Sequence, residues 1–319
     1  MRGSLRKLPD VPNPSRPTTV AIGNFDGVHR GHQEVIARAR SIDPDLPVVV
    51  VTFWPHPISV LTPDKAPLLL ATLERRIALL KEAGASQVRV VRFTQEFASW
   101  SPATFVERVL EPLNPRHIVV GRNFRFGARA AGTPSTLADI GQGRFDVTSV
   151  ALVSVGDART SSTAVREAVA EGRVEDAAAH LGRPFGVDGV VVMGDQRGRL
   201  LGFPTANLVL PSEYAVPAEG VYAGWLTRQS GPEAGKRLPA AISVGSNPTF
   251  DGVEKRVETY VIDRTDLDLY GVEIRVEFVA HLRGQVRFDG IEPLITQMTA
   301  DVHRCKEILR RLSPDGDVR

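Results

Sequence analysis

The chain has 319 residues, of which 42% are hydrophobic and 24% charged, as in globular proteins. Its net charge of +2 does not indicate a nucleic-acid partner, and no apolar run reaches the roughly 18 residues of a membrane span. The length favours two domains. The single cysteine, Cys305, excludes an internal disulfide framework and is interpreted as a buried or spare thiol. Residues 1–17 carry basic residues and prolines without the apolar core of a signal peptide, which predicts a flexible leader and a cytoplasmic location.

After this leader, short runs rich in valine and isoleucine alternate with helical stretches up to about residue 155. The predicted strands are 18–23, 47–53, 87–93, 117–121 and 145–150. The predicted helices are 32–40, 72–83, 101–110 and 136–140, followed by 162–171 and 174–181. This alternation predicts an α/β domain at 18–182, with a Rossmann-like parallel sheet covered on both faces.

The pattern changes after residue 182, where strand periodicity continues without intervening helices. The predicted strands are 189–193, 220–227, 238–244, 257–263 and 272–282. Such a series predicts a small antiparallel barrel, and an amphipathic helix at 291–312 closes the second domain, 183–319.

The strongest local signal in the first domain is the segment GNFDGVHRGH at residues 23–32. It follows a strand and enters a helix, where parallel sheets bind ligands and helix N-termini favour phosphates. Gly27 and Gly31 allow the backbone to approach a ligand, and His29 and His32 can reach one anion. By themselves, two histidines at this spacing fit surface residues or a metal pair equally well.

Three further segments follow in the same domain: TFWPHP at 52–57, GRNFRFG at 121–127 and TSSTAVR at 160–166. The last opens a helix with Ser162 or a neighbour as the expected N-cap, and Arg166 lies one turn later. Together with the HxGH signature at 29–32, these segments resemble the adenylyltransferase half of bacterial bifunctional riboflavin kinase/FAD synthetases. The resemblance implies catalytic roles for His29, His32 and Arg166. It implies ATP or flavin contacts at Gly23, Phe25, Asp26, Gly31, Asn123, Ser162 and Thr163.

The second strong signal is the segment GDQRGRLLGFPTAN at residues 194–207. Its glycines suit a loop that approaches phosphates, but the ending of a Walker A loop is absent. In an extended segment Thr205 and Asn207 face one way, and their oxygens suit Mg²⁺. A glycine-rich hairpin that turns at Pro204 explains these residues alone as well. Glu258 lies among apolar residues of a predicted strand, where it is either a general base or a solvent-facing residue.

With PAEGVYA at 217–223, SVGSNPT at 243–249 and VETYVID at 257–263, this segment resembles the riboflavin kinase module. The resemblance implies that Thr205 and Asn207 hold Mg²⁺-ATP and that Glu258 is the catalytic base. It implies further ATP or flavin contacts at Gly194, Gly198, Arg199, Gly202, Phe203 and Pro204. Ser243 stands where relatives usually carry asparagine, so it is left out of the predicted site.

The resulting hypothesis is a bifunctional enzyme with ATP as co-substrate and Mg²⁺ as cofactor. It phosphorylates riboflavin to FMN in the second domain and adenylylates FMN to FAD in the first. Its predicted partners are these small molecules, with no nucleic acid and no membrane, and a homo-oligomer is left open. The alternatives are a nucleotidylyltransferase for another phosphate ester, a flavin carrier without catalysis and a nucleic-acid-binding protein. The HxGH signature also resembles that of class I aminoacyl-tRNA synthetases, which is why a nucleic-acid partner is considered. This alternative lacks support because the sequence has no KMSKS-like segment and no strong basic patch.

Overall fold

The computed structural model describes residues 15–151, 153–156, 158–194, 198, 201–249 and 252–312. Most of the predicted leader, and the predicted contact residue Arg199, therefore lie outside the described residues. The chain divides into two compact units. The first comprises the residues up to Pro67 together with Thr72–Ser162, and the second comprises Leu68–Ala71 together with the residues from Thr163 onward.

The first unit contains a parallel five-stranded sheet in the order β3-β2-β1-β4-β5. Its strands are β1 (Thr18–Ile22), β2 (Val48–Trp54), β3 (Gln87–Arg92), β4 (Pro115–Gly121) and β5 (Asp146–Val150). Its helices are α1 (Arg30–Ile42), α2 (Pro57–Leu61), α3 (Leu73–Glu82), α4 (Gln95–Ala98), α5 (Pro102–Phe105) and α6 (Pro134–Gly141). Short 3₁₀ turns lie at Pro63–Lys65, Glu111–Leu113 and Ala128–Ala130, and β6 (Ser154–Val155) pairs with β7 (Ala158–Arg159). The predicted Rossmann-like sheet is thereby confirmed.

Both faces of this sheet are buried, because successive strand residues point to opposite sides. Val20 and Ile22 belong to one apolar cluster, and Ala21 between them belongs to the other. The helix predicted at 101–110 begins as expected, with Ser101 Oγ accepting a hydrogen bond from the Thr104 amide, but its second half is π-helical. Since all the strands of this sheet are parallel, their carboxyl ends meet at one edge. Ligands of parallel α/β sheets bind at that edge.

The second unit is built around a closed six-stranded barrel in the order β10-β11-β12-β9-β8-β13. Its strands are β8 (Phe185–Val192), β9 (Thr205–Val209), β10 (Gly220–Arg228), β11 (Arg237–Thr249), β12 (Gly252–Val261) and β13 (Glu273–Arg283). Its helices are α7 (Ser162–Ala170), α8 (Val174–Leu181) and α9 (Ile291–Leu312). The barrel and the final helix are confirmed. Strand β9 was predicted only as an extended segment, and β11 extends five residues beyond its predicted end at residue 244.

Helices α7 and α8 pack against the barrel. Val165 and Val169 of α7 belong to the same buried cluster as Leu208 and Ile242 of the barrel interior. Along the sequence, the division between the compact units lies near residue 162, whereas the predicted division by activity lies at residue 182. On the outer wall of the barrel, α9 buries Cys305 against Trp225 and its neighbours.

No helix within the described ranges is both long and apolar enough to cross a membrane.

Candidate active sites

The loop that follows β1, residues 23–32, is called the histidine loop. It has an unusual backbone: Phe25 and Val28 have φ angles of 54° and 43°, and Gly27 between them has 76°. Left-handed geometry is a genuine outlier for a β-branched residue such as valine, and each such non-glycine residue costs about 1–3 kcal/mol. A conformation of this kind persists only where the surrounding structure holds it in place.

His29 is the N-cap of α1. Its Nδ1 atom accepts a hydrogen bond from the amide of His32 at 3.3 Å. A neutral imidazole with an acceptor at Nδ1 carries its proton at Nε2, so the N–H donor of His29 is at Nε2, beside a helix N-terminus. This geometry matches the predicted role in binding a phosphate.

The two histidine rings stack, with centroids 3.6 Å apart and planes 18° from parallel. Phe25, which is 1% exposed, contacts the His32 ring edge to face at 5.1 Å. A Cβ atom at Gly31 would lie 3.1 Å from the His29 ring, and one at Gly23 would lie 3.1 Å from the Phe25 ring. The structure therefore brings the predicted histidines together, and a side chain at either glycine would crowd the adjacent ring.

Other predicted residues of the first site occupy different environments. Asp26 is 1% exposed, and its backbone carbonyl accepts a hydrogen bond from the Ser162 hydroxyl at 2.9 Å. Helix α7 begins at Ser162 itself. Asn123 is exposed on the loop that follows β4, the neighbour of β1 in the sheet. Thr163 is exposed, and Arg166, in the second unit, donates through Nε to the carbonyl of Leu68 at 2.6 Å.

Strand register brings the predicted residues of the second site together on the barrel. Asn207 of β9 lies directly opposite Glu258 of β12, and Thr205 lies opposite Tyr260. On β11, Ser243 lies opposite Glu258 from the other side. These residues form what is called the barrel site.

The barrel site lies on the outer wall. The residues that alternate with its members, Ala206, Leu208 and Val257, are buried in the interior cluster. Because strand side chains alternate between faces, the polar members point away from that interior. A carboxylate, an amide and a hydroxyl therefore share one face of two adjacent strands.

The glycine-rich segment comes close to this face. A Cβ atom at Gly194 would lie 2.6 Å from Cγ of Asn207, and one at Gly198 would lie 2.4 Å from the carbonyl oxygen of Phe203. Asn207 donates through Nδ2 to the Thr205 carbonyl at 3.2 Å, which leaves its Oδ1 as an acceptor. The backbone thus approaches Asn207 as closely as only glycine allows.

A cleft of about 600 Å³ opens beside the barrel site. Gly202, Pro204, Thr205 and Asn207 line it, together with the loop at 264–270. Gly202 has a φ angle of 86°, and Phe203 contacts the ring of Tyr260 edge to face at 5.3 Å. Burial raises the pKa of Tyr260, and nearby Asp263 adds to the effect, so this ring keeps its proton. A pocket of this size suits a ligand as large as a nucleotide or a flavin.

Family models match both halves of the chain. One described as FAD synthetase matches residues 11–164, and one described as Riboflavin kinase matches residues 181–309. The bifunctional riboflavin kinase/FMN adenylyltransferase of Bacillus subtilis (strain 168) is 38% identical over 291 residues, covering 89% of this chain and 90% of its own. The Escherichia coli (strain K12) protein of that description is 35% identical over 305 residues, covering 94% and 96%. The chain belongs to the bifunctional riboflavin kinase/FMN adenylyltransferase family.

Membership of this family confirms the predicted enzyme class, which combines a kinase and a nucleotidyltransferase. A solved structure titled as a macrolide-efflux protein from Streptococcus pneumoniae is also similar, with a TM-score of 0.83 and 33% identity. It covers 92% of this chain and 95% of its own. The segment matched by the FAD synthetase model contains the histidine loop, and the segment matched by the riboflavin kinase model contains the barrel site.

Sequence reasoning missed two neighbours of the barrel site. Ser243 was left out because of its residue type, yet register places it beside Glu258. Gln285 donates through Nε2 to Ser243 Oγ at 3.0 Å and to the Val244 carbonyl at 2.9 Å. The register between strands 238–244 and 257–263 would have revealed Ser243, but no sequence pattern indicates Gln285.

Proposed function

We propose that the chain makes FMN from riboflavin and ATP at the barrel site and FAD from FMN and ATP at the histidine loop. The assignment by activity follows the predicted domains, with adenylyl transfer in residues 18–182 and the kinase in 183–319. The observation that supports it is the contrast in chemistry: histidine donors at a helix N-terminus in one place, and a carboxylate beside Thr205 and Asn207 in the other.

Adenylyl transfer to FMN requires stabilisation of phosphate charge. The nucleophile is the FMN phosphate, whose second pKa of about 6 leaves it mostly dianionic at neutral pH, so no general base is needed. Its oxygen attacks the α-phosphorus of ATP, and the bond to pyrophosphate breaks. We propose that His29, through Nε2–H, and His32 stabilise the charge that develops there, aided by the positive end of α1. Arg166 is proposed as a further phosphate contact.

Phosphorylation of riboflavin requires a base. The nucleophile is a hydroxyl, which must lose its proton as it attacks the γ-phosphorus and as the bond to ADP breaks. Glu258 is half-buried on the barrel wall opposite Asn207, where it can accept that proton. Ser243 lies opposite Glu258 on β11, and Gln285, which follows β13, donates a hydrogen bond to the Ser243 hydroxyl.

The barrel site fits Mg²⁺. The Thr205 hydroxyl and Asn207 Oδ1 are oxygen ligands of the kind that Mg²⁺ prefers. We propose that Thr205 and Asn207 hold the ion with ATP. When bound, the ion would neutralise charge on the phosphates during transfer. Since both reactions consume ATP, we also propose a cytoplasmic location.

A time course tests this proposal. Purified protein is incubated with riboflavin, ATP and Mg²⁺, and the flavins are separated by chromatography. FMN should appear first and FAD later. FMN without FAD, even when FMN is supplied, would favour a nucleotidylyltransferase for another phosphate ester, and the absence of any conversion would favour the flavin carrier.

A further inference from the structure

A buried ion pair lies beneath the histidine loop. Arg76 of α3 binds Asp26 with 3.0 Å between Nη2 and Oδ1, and both side chains are 0% exposed. Nothing in the sequence motifs singled out Arg76, which lies 50 residues from its partner. The pair joins a helix on one face of the sheet to the loop that carries the histidines.

The same guanidinium binds two backbone carbonyls. Its Nη1 donates to Asn24 O at 3.1 Å and to Phe53 O at 3.2 Å. The Thr52 hydroxyl also donates to Asn24 O, at 2.8 Å. Arg76 therefore ties the histidine loop, at Asn24 and Asp26, to the carboxyl end of β2.

These attachments alternate with the strained residues of the loop. Asn24 and Asp26 are held on either side of Phe25, whose φ is 54°, and Val28, at 43°, immediately precedes the N-cap His29. Fixing Asn24 and Asp26 therefore constrains the backbone that leads into His29. Ser162 adds to this by donating to the carbonyl of Asp26.

The chemistry of the pair favours a role in specifying geometry. A buried ion pair contributes little net stability compared with apolar residues of similar volume, because both charges lose their water. The contacts also need the planar fork of arginine, since one lysine head group cannot match its geometry toward a carboxylate and two carbonyls.

We propose that Arg76 is a positioning residue for adenylyl transfer, which acts through Asp26 and Asn24 to hold His29 in its phosphate-binding orientation. The proposal rests on the proposed function of the histidine loop. It also gives Asp26 a positioning role in place of the direct ligand contact that the family resemblance implies, since its carboxylate faces Arg76 inside the protein.

The first test compares adjacent arginines of α3. Arg76→Met should lower kcat for FAD formation by about 10²-fold, the effect expected when a reacting group is misplaced by about 1 Å. FMN formation by the same preparation should stay within about twofold of wild type. Arg75→Met is the matched control, because Arg75 binds exposed Glu82 at 3.1 Å. Both activities of Arg75→Met should match wild type, and equal FAD formation by the two variants would overturn the proposal.

The second test is a double-mutant cycle with His29→Ala. If Arg76 acts through His29, Arg76→Met should change FAD formation by less than about threefold in the His29→Ala background. A further loss of about 10²-fold there would indicate a general structural role and overturn the proposal. Arg76→Lys, which keeps the charge and loses the fork, should give an intermediate rate.

Two further outcomes separate this proposal from the function on which it rests. FAD formation that survives His29→Ala would overturn the proposed function and this inference with it, whereas loss in His29→Ala but not in Arg76→Met would overturn this inference alone. If Arg76→Met does not fold, the double variant Arg76→Met/Asp26→Leu removes both buried charges. It should fold and still form FAD about 10²-fold more slowly, because the Asn24 carbonyl loses its hydrogen bond to Arg76 and residue 26 no longer forms the ion pair. Wild-type FAD formation by that folded variant would overturn the proposal.

Discussion

The histidine loop of the first unit and the barrel site of the second unit place their polar groups by different means. The loop takes its residues from one contiguous segment, bends the backbone through left-handed conformations and stacks His29 on His32. The barrel site takes Asn207, Glu258 and Ser243 from three strands in ordinary extended geometry. One site therefore depends on a strained loop and its anchors, and the other depends on strand register.

The largest effect is expected from replacing Glu258, the proposed general base of the barrel site. Glu258→Gln keeps the size and shape of the side chain, but its amide cannot accept the proton. FMN formation should fall by about 10³-fold, within the range for loss of a general base. FAD formation from supplied FMN should be unchanged, as measured by chromatography, and a matching loss of both activities would contradict the separation of the sites.

A smaller effect is expected at the histidine loop. His32→Ala removes one side chain of the stacked pair and should lower FAD formation by about 10²-fold, as for loss of one transition-state donor. FMN formation from riboflavin should stay near the wild-type rate. If the variant formed FAD at the wild-type rate of FAD formation, His32 would have no role in adenylyl transfer.

Replacing a glycine by alanine at either site should lower only the activity assigned to that site. Gly31→Ala places a Cβ atom 3.1 Å from the His29 ring and should lower FAD formation by about tenfold. Gly194→Ala meets Asn207 at 2.6 Å and should lower FMN formation by at least as much. Gly290→Ala, whose Cβ atom would meet only Pro293 at an ordinary 3.8 Å, is the control for both rate assays. Effects that do not separate by activity would count against the assigned sites.

The smallest effect on the two activities is expected from treating Cys305 with a thiol reagent. Burial against the barrel wall raises the pKa of its thiol from 9.0 to about 12, with Asp301 adding to the shift. At pH 8 a thiol reagent should leave both activities intact and react only when the protein unfolds. Because the folded state holds the proton more tightly, the free energy of unfolding should decline as pH rises from about 9 to about 12. Rapid labelling of the native protein would contradict this burial.

The contrast between the sites also explains what the sequence could predict. The pair His29 and His32 is visible because a short segment sets its geometry, and alternation in β9 predicts that Thr205 and Asn207 share a face. The position of Ser243 depends on the pairing of β11 with β12, which no local pattern specifies. Arg76 is invisible in the same way, since an arginine within an amphipathic helix is usually exposed, whereas here it is fully buried.

Helices α7 and α8 illustrate a further limit. Their bounds were predicted closely, because periodicity is local, but their packing with the barrel interior was not. Apolar periodicity indicates that a helix buries one face and leaves open which partner covers it.

The most direct test of two independent activities in one chain is complementation between Glu258→Gln and His32→Ala. With riboflavin, ATP and Mg²⁺, Glu258→Gln alone should leave riboflavin largely unconverted, and His32→Ala alone should accumulate FMN. An equal mixture should accumulate FAD, because FMN released by one variant is the substrate of the other. A mixture of folded variants that forms FMN but no FAD would contradict the account.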